Sequence, residues 1–98
     1  MQKIAVVGCG AFGYALALLL SKTHSNKEVF AYDVMSEVIE TLQQTKKHPF
    51  FHTDIEICPN LLPTKDKEEC LKNADLVILA VPAQYLRDAL ESLNNLIP

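Results

Sequence analysis

Apolar and polar positions alternate in blocks along the chain, and the blocks predict four strands, each followed by a helix. The predicted strands are the apolar runs Lys3–Val7, Glu28–Tyr32, Leu61–Thr64 and Leu76–Val81. The predicted helices are Ala11–Lys22, Ser36 to about Gln44, Asp66–Lys72 and Ala83–Leu93. Strands that alternate with helices are typical of a parallel sheet joined by right-handed crossovers. We therefore predict an α/β fold with a doubly wound parallel sheet of spatial order 3-2-1-4, incomplete at the C-terminus.

The composition of each strand predicts its place in the sheet. Lys3–Val7 and Leu76–Val81 are apolar on both faces, so we expect both to be central. Pro82 ends the second of these runs. We expect Leu61–Thr64 at an edge, because Pro63 cannot donate a hydrogen bond to a neighbouring strand.

Two predicted helices carry an apolar stripe that we expect to face the core. In the second helix the stripe is Val38, Ile39 and Leu42. In the last helix it is Leu86, Ala89, Leu90 and Leu93, with Arg87, Asp88 and Glu91 on the outer face. The pattern is irregular over residues 46–62, and we interpret Asp54–Ile57 as an extended arm.

Composition narrows the class of protein. A chain of 98 residues with 49% hydrophobic and 21% charged residues predicts one globular domain. The net charge of −3 argues against a nucleic-acid partner, and the longest apolar run, Ala15–Leu20, is too short for a membrane span. Three widely spaced cysteines match no metal-binding pattern. Without a signal-peptide pattern, we expect reduced thiols and a cytoplasmic location.

All three glycines lie in one stretch, Gly8–Gly13, with the spacing G-x-G-x-x-G. A strand precedes it and a helix follows, which is the context typical of dinucleotide binding in a Rossmann-like fold. We expect Gly8 to allow the tight turn and Gly13 to allow close packing of the helix on the sheet. Gly10 is expected to let the pyrophosphate approach the backbone.

The start of the first helix is the predicted phosphate site. Its unpaired N–H groups and its dipole favour an anion, so we expect Ala11 and Phe12 to offer backbone N–H groups to the pyrophosphate. For Phe12 the alternative is that its ring serves packing alone. Cys9 is either a redox thiol or a small residue tolerated beside the phosphates. The second interpretation is favoured, because no base or cation lies nearby in sequence to lower the pKa of the thiol.

Asp33 and Val81–Pro82 complete the predicted cofactor site. Asp33 follows the second strand, 20 positions after Gly13, where a carboxylate accepts hydrogen bonds from the adenosine ribose and repels a 2′-phosphate. We therefore expect NAD, with NADP disfavoured. The alternative for Asp33 is a turn or cap before the helix that begins at Ser36. Val81 and Pro82 are expected to meet the glycines where the strand order reverses.

The chain resembles NAD(P)-dependent glycerol-3-phosphate dehydrogenase over essentially its whole length. The family's glycine fingerprint is similar to Gly8–Ala17, and its A-D-L-[IV]-[IVL]-x-A-V-P strand and turn are similar to Ala74–Ala83. Cys58–Leu61 resembles the family's P-P-N-L. In three places the chain departs from the family: Tyr14 replaces the usual threonine, and Phe51–Asp54 stands near the place where Y-L-P-G is expected. After the second strand, Asp33 and Val34 stand where many bacterial members carry a small residue and then a basic one suited to NADP.

The resemblance implies that residues 1–98 form the N-terminal NAD-binding domain of an enzyme of glycerophospholipid metabolism. Such an enzyme reduces dihydroxyacetone phosphate, its small phosphorylated substrate, to sn-glycerol 3-phosphate. The catalytic lysines and the substrate domain would lie outside this chain, so the chain alone is predicted to be inactive, with no catalytic residue and no metal. Its own lysines are interpreted as solvated. Tyr85 resembles the family's aromatic residue near the nicotinamide, with a core aromatic as the alternative, and the resemblance leaves room for a homodimer.

Two other functions remain open from the sequence. One is the cofactor domain of another small reductase, of the ketopantoate or pyrroline-carboxylate type, because single motifs are shared among dehydrogenases. The other is a non-catalytic dinucleotide-sensing module.

Overall fold

The computed structural model describes residues 3–93, apart from the side chains of Ala83 and Leu93, and it contains the predicted alternation of strands and helices. The strands are β1 (Lys3–Val7), β2 (Glu28–Tyr32), β3 (Leu61–Thr64) and β4 (Leu76–Leu79). The α-helices are α1 (Ala11–Thr23), α2 (Ser36–Thr45), α3 (Lys67–Leu71) and α4 (Leu86–Leu93), with a 3₁₀ turn at Ala83–Tyr85 before α4.

The four strands form one parallel sheet of order β3-β2-β1-β4, which confirms the predicted topology. Ile4 of β1 aligns with Val29 of β2 on one side and with Leu76 of β4 on the other. The interior of β1 is buried on both faces, as its composition predicts. β3 lies at one edge, where Pro63 was expected.

The expectation that the last strand is central was wrong for the described part of the chain. β4 lies at the edge opposite β3 and ends at Leu79, two residues earlier than predicted. Leu76 is 39% exposed. An apolar sequence predicts that a strand can be covered on both sides, but no described strand lies beyond β4 to cover it.

The expected inward stripe of the last helix is also not buried. Leu86 and Leu90 are 37% and 41% exposed, and Ala89 is half-buried. The predicted contact of Leu93 lies outside the described side chains. Amphipathic spacing identifies an apolar face, but burial of that face requires a surface to pack against.

Helices α1 and α2 cover one face of the sheet. Tyr14, Ala17 and Leu18 of α1 pack with the predicted α2 stripe, against Ile4 and Val6 of β1 and Val29 and Ala31 of β2. On the opposite face, Cys70 and Leu71 of α3 pack against Ala5 and Val7. The glycine stretch therefore emerges from a strand that is packed from both sides.

The segment between α2 and β3 is irregular, as predicted, but its expected extended arm packs against the core. Ile57 is buried, and its N–H donates to the carbonyl of Lys46 over 2.8 Å. The side-chain amide of Asn60 donates to the carbonyls of Ser21, His24 and Lys27, which fixes the chain reversal after α1.

One lysine interpreted as solvated is engaged. The Lys3 Nζ donates to the carbonyls of Glu69 and Lys72 over 2.6 and 2.7 Å, and it lies 4.1 Å from the ring centroid of Phe30. Lys3 thereby ties the start of β1 to the end of α3. Among residues 3–93, no helix is long and apolar enough to cross a membrane.

Candidate functional site

The turn from β1 into α1 requires a glycine at its first position. Gly8 has φ 109°, a left-handed conformation that residues with a side chain rarely adopt. A Cβ at Gly8 would collide with the carbonyl group of Ala80, just beyond β4. The Gly8 N–H donates to the Tyr32 carbonyl over 2.8 Å. Gly8 therefore lets the ends of β1, β2 and β4 meet at one point.

Gly13 and Gly10 differ in what surrounds them. A Cβ on Gly13 would collide with the Gly8 carbonyl and would lie 2.9 Å from the Ala80 Cβ, so α1 sits too close to the sheet for any side chain there. Gly10 is exposed, its φ of −73° suits any residue, and its Cβ position has no heavy atom within 4 Å. The folded chain itself therefore explains the first and third glycines but not the second.

The N-terminus of α1 is available to a ligand. Its N-cap is Gly10, no side chain caps it, and its first turn has no acidic residue. The first intrahelical bond runs from the Tyr14 N–H to the Gly10 carbonyl over 2.9 Å. The N–H groups before Tyr14 and the positive end of the dipole are therefore directed at the space in front of the helix.

That space is a cleft of about 360 Å³ between the glycine stretch and the end of β4. Residues 10–13 line one wall and residues 79–82 line the other, so the structure brings Val81 and Pro82 to the glycines as predicted from topology. None of the lining residues is charged. An anion in the cleft would be met by backbone N–H groups and the helix dipole alone.

The aromatic residues near the cleft are exposed. The Phe12 ring is 73% exposed, so within residues 3–93 little supports the alternative that this ring serves packing alone. Tyr85 is 56% exposed at the end of the 3₁₀ turn, and the core-aromatic alternative was wrong for this chain. Tyr85 is not among the residues that line the cleft.

Asp33 lies at the carboxyl end of β2 and contacts two backbone groups. Its Oδ2 accepts from the Cys9 N–H over 2.6 Å, and its Oδ1 accepts from the Met35 N–H over 2.8 Å. The second bond is the turn before α2 that the sequence offered as an alternative role. A carboxylate has about four acceptor sites, so two of them stay available for a ribose. Asp33 is partly exposed and lines a small cavity of about 80 Å³ with Gly8 and Val81.

Cys9 points into the core rather than toward the cleft. It is 2% exposed and packs with α1 and α2. Burial, followed by the nearby charge of Asp33, raises the pKa of its thiol to about 12, so the thiolate is scarce at neutral pH. The redox interpretation therefore has no chemical support. The favoured alternative also needs a correction, because the side chain of Cys9 lies in the core and does not line the cleft.

His48, which the sequence analysis left without a role, is buried beneath the glycine stretch. Its Nδ1 accepts from the N–H groups of Phe50 and Phe51 over 3.0 and 3.2 Å, so the ring proton is on Nε2. That proton is donated to the Cys9 carbonyl over 2.7 Å. Only the position of His48 in an aromatic-rich loop hinted at this contact, because the partner lies 39 residues away.

Tyr14, the residue that departs from the resembled family, forms the floor under His48. The two ring centroids are 4.6 Å apart at 47°. Tyr14 is fully buried, and its hydroxyl has no hydrogen-bond partner among the described residues. Burial raises the pKa of Tyr14. Within residues 3–93, no group of His, Cys, Asp and Glu side chains could hold a metal ion.

Comparison with known proteins agrees with the resemblance found in the sequence. The family model described as the NAD-dependent glycerol-3-phosphate dehydrogenase N-terminus matches residues 3–98. The chain is 36% identical over 91 residues to a glycerol-3-phosphate dehydrogenase (NAD(P)+) of Syntrophomonas wolfei, covering 93% of this chain and 26% of the relative. A relative of the same name from Acholeplasma laidlawii is 36% identical over 95 residues, covering 97% and 27%. The chain thus spans little more than a quarter of the length of these relatives.

Solved structures show the same fold. The crystal structure of a glycerol-3-phosphate dehydrogenase from Coxiella burnetii superimposes with a TM-score of 0.91 at 21% identity, covering 99% of this chain and 29% of that one. The corresponding enzyme of Saccharomyces cerevisiae gives a TM-score of 0.86 at 17% identity, covering 99% and 31%. At such identities the likeness establishes the fold alone.

Proposed function

The chain belongs to the family of NAD-dependent glycerol-3-phosphate dehydrogenase N-termini, and from this premise we propose that the cleft between Gly10 and Val81 holds the pyrophosphate of NAD. The observation that carries the proposal is the contrast among the glycines. Gly8 and Gly13 are required by the packing of the chain, whereas the folded chain makes no demand on Gly10. A glycine that the protein does not need for itself is explained by a ligand that must approach its backbone.

The electrostatics of the cleft suit a pyrophosphate. The uncapped end of α1 offers Ala11 and Phe12 N–H groups and a dipole equivalent to roughly half a positive charge. A phosphate so placed satisfies donors that are otherwise left to water. With no charged side chain lining the cleft, binding there depends on backbone geometry.

We further propose that the chain prefers NAD to NADP. Asp33 keeps acceptor capacity for the ribose hydroxyls, and its charge would repel a 2′-phosphate. The next residues, Val34 and Met35, are 85% and 50% exposed and offer an apolar surface for the adenine. Residues 33–37 contain no Lys or Arg that would pair with a 2′-phosphate.

The reaction is likewise a proposal. We place this chain as the cofactor-binding domain of a glycerol-3-phosphate dehydrogenase, which would exchange a hydride between the nicotinamide and the dihydroxyacetone phosphate–glycerol 3-phosphate pair. The names of the relatives support this reaction over the ketopantoate and pyrroline-carboxylate types. The substrate site, the catalytic groups and any homodimer contact would then lie in the part of such an enzyme that this chain does not match, since the chain covers 26% of that relative.

A binding titration tests the cofactor proposal. The chain should bind NADH at least about tenfold more tightly than NADPH, because a 2′-phosphate beside Asp33 loses at least ~1.4 kcal/mol. The fluorescence of the reduced nicotinamide is a suitable signal, because it is excited at longer wavelengths than the aromatic residues of a protein absorb. The matched control is Asp33→Asn, which keeps one acceptor oxygen for the Cys9 or Met35 N–H but removes the charge. This variant should reduce the difference between the affinities for NADH and NADPH, because it weakens the binding of NADH and no longer repels the 2′-phosphate of NADPH. Absence of saturable NADH binding would contradict the proposed cofactor site. Tighter binding of NADPH than of NADH would contradict the proposed preference for NAD.

A further inference from the structure

We propose that His48 is a positioning residue for the cofactor, which acts by fixing the orientation of the peptide between Cys9 and Gly10. The inference rests on the proposed function, because it assigns the loop that precedes β3 a part in the same cofactor cleft. The connection runs through one hydrogen bond, from the His48 Nε2–H to the Cys9 carbonyl.

The backbone of the glycine stretch at Cys9 needs contacts from outside the stretch to fix its conformation. Cys9 stands between Gly8 and Gly10, and glycine allows the backbone a wide range of φ and ψ. Cys9 is held at both of its peptide groups: its N–H donates to Asp33 over 2.6 Å, and its carbonyl accepts from His48 over 2.7 Å. Residues from two separate parts of the chain therefore restrict the stretch that its own glycines leave mobile.

Fixing the Cys9 carbonyl also fixes the next donor. The peptide is planar and trans, so the Gly10 N–H is directed opposite to the Cys9 carbonyl. Because the carbonyl is directed inward at buried His48, the Gly10 N–H is directed toward the exposed side of the loop. Gly10 lines the cleft there. A donor that is already oriented costs less entropy when an anion binds.

His48 itself has little freedom. Its side chain is 2% exposed, and its ring lies against Tyr14 at 4.6 Å and Phe51 at 5.2 Å between centroids. The N–H groups of Phe50 and Phe51 occupy Nδ1, which leaves Nε2 as the only ring nitrogen with a proton to donate. The loop therefore sets the tautomer that the glycine stretch requires.

The two ring nitrogens separate a positioning role from a merely structural one. Nδ1 holds the loop itself, whereas Nε2 holds the glycine stretch. His48→Asn leaves a carbonyl oxygen near the place of Nδ1 but does not reach Cys9. His48→Gln carries its amide NH₂ near the place of Nε2 and loses the Nδ1 acceptor. The pair thus removes one function at a time.

The experiment compares NADH affinity in the wild-type chain and both variants by fluorescence titration. His48→Asn should raise the Kd about fivefold, the value of one lost hydrogen bond, whereas His48→Gln should stay within about twofold of the wild type. Equal Kd values for the two variants, or a weaker His48→Gln, would overturn the inference. No NADH binding by the wild-type chain would instead overturn the proposed function, and with it this role for His48.

Nuclear magnetic resonance gives a readout that does not depend on binding. All three glycines lie in the stretch, so glycine amide resonances report on it directly. The Gly10 amide should shift in His48→Asn and stay near its wild-type position in His48→Gln, before any NADH is added. If neither variant folds, histidine labelled with ¹⁵N in the wild-type chain decides the matter. A proton on Nε2 of His48 supports the inference, and a proton on Nδ1 overturns it.

Discussion

Helices α2 and α4 each follow a parallel strand and each carry one apolar stripe, but only the stripe of α2 is buried. Ile39 and Leu42 of α2 are 0% and 1% exposed. Leu86 and Leu90 of α4 are 37% and 41% exposed. The difference does not come from the helices, because both are amphipathic. It comes from the surfaces that they face: α2 packs with α1 and with β3 over the sheet, whereas α4 follows β4, beyond which no strand is described.

The comparison extends to the two walls of the cleft. One wall, which we call the glycine wall, is formed by residues 10–13 and follows β1, which is buried on both faces. Asp33 and His48 fix the chain just before it through hydrogen bonds to Cys9. The wall at Val81 and Pro82 leads into the 3₁₀ turn and α4, where Tyr85, Leu86 and Leu90 are exposed. Apolar area removed from water is the main source of stability, so the first wall is stabilised far more than the second. The wall that we propose for the pyrophosphate should therefore be formed before a cofactor binds.

The same leucine-to-alanine substitution in α2 and in α4 tests the comparison of the two helices most directly. Leu42→Ala should lower the free energy of unfolding by about 2–4 kcal/mol, because it leaves a cavity in the packed face. Leu90→Ala should lower it by less than about 1 kcal/mol, because much of that side chain is already in water. Urea unfolding followed by circular dichroism measures both. Equal losses would mean that α4 is packed as firmly as α2.

A second substitution addresses the contact between the walls. Gly8→Ala should cost about 1–3 kcal/mol of stability, because it strains a backbone at φ 109° and drives a methyl group into the Ala80 carbonyl. The matched control is Gly10→Ala, where the methyl group meets open space and only a slightly poorer helix cap remains. The control should lose less than about 1 kcal/mol. A larger loss from the control than from Gly8→Ala would reverse the roles given to these glycines.

Local patterns predict most of the fold. Apolar runs and helical spacing place β1, β2 and β3 at their observed bounds, because strand and helix periods depend on neighbouring residues. The same patterns cannot tell whether a partner surface exists, which is why β4 was expected to be central and α4 to be buried. Apolar character states what a segment can bury, and the rest of the molecule decides what it does bury.

The candidate site likewise has a part that local sequence patterns predict and a part that they do not. The turn at Gly8–Gly13 and the place of Asp33 after β2 were predictable, because a turn, a helix start and a fixed spacing are local features. The hydrogen bond from His48 to Cys9 joins residues 39 positions apart, and the bonds of Lys3 to Glu69 and Lys72 span 66 and 69. No spacing rule covers contacts that arise only when the sheet has formed. The opposite exposure of Gly10 and Cys9 also required the structure, because both belong to one turn.

Gly10→Ser makes the smallest change to the fold and gives the sharpest test of the glycine wall. Gly10 is the N-cap of α1 with extended backbone angles, which is the position and conformation that serine favours. Its hydroxyl would accept one of the free N–H groups of the first turn, so the unliganded chain should gain a few tenths of a kcal/mol in stability.

The same hydroxyl would accept an N–H group, and fill a space, that we assign to the pyrophosphate. The Kd for NADH should therefore rise at least about tenfold, ~1.4 kcal/mol, although the unliganded protein melts at the same or a higher temperature. Thermal melting without ligand and NADH titration, on one preparation, give both numbers. Gly10→Ala is the control, because it adds bulk without a cap and should lose affinity with slightly lower stability. If Gly10→Ser kept its affinity for NADH, the middle glycine would serve the helix start alone, and the phosphate would have to bind elsewhere.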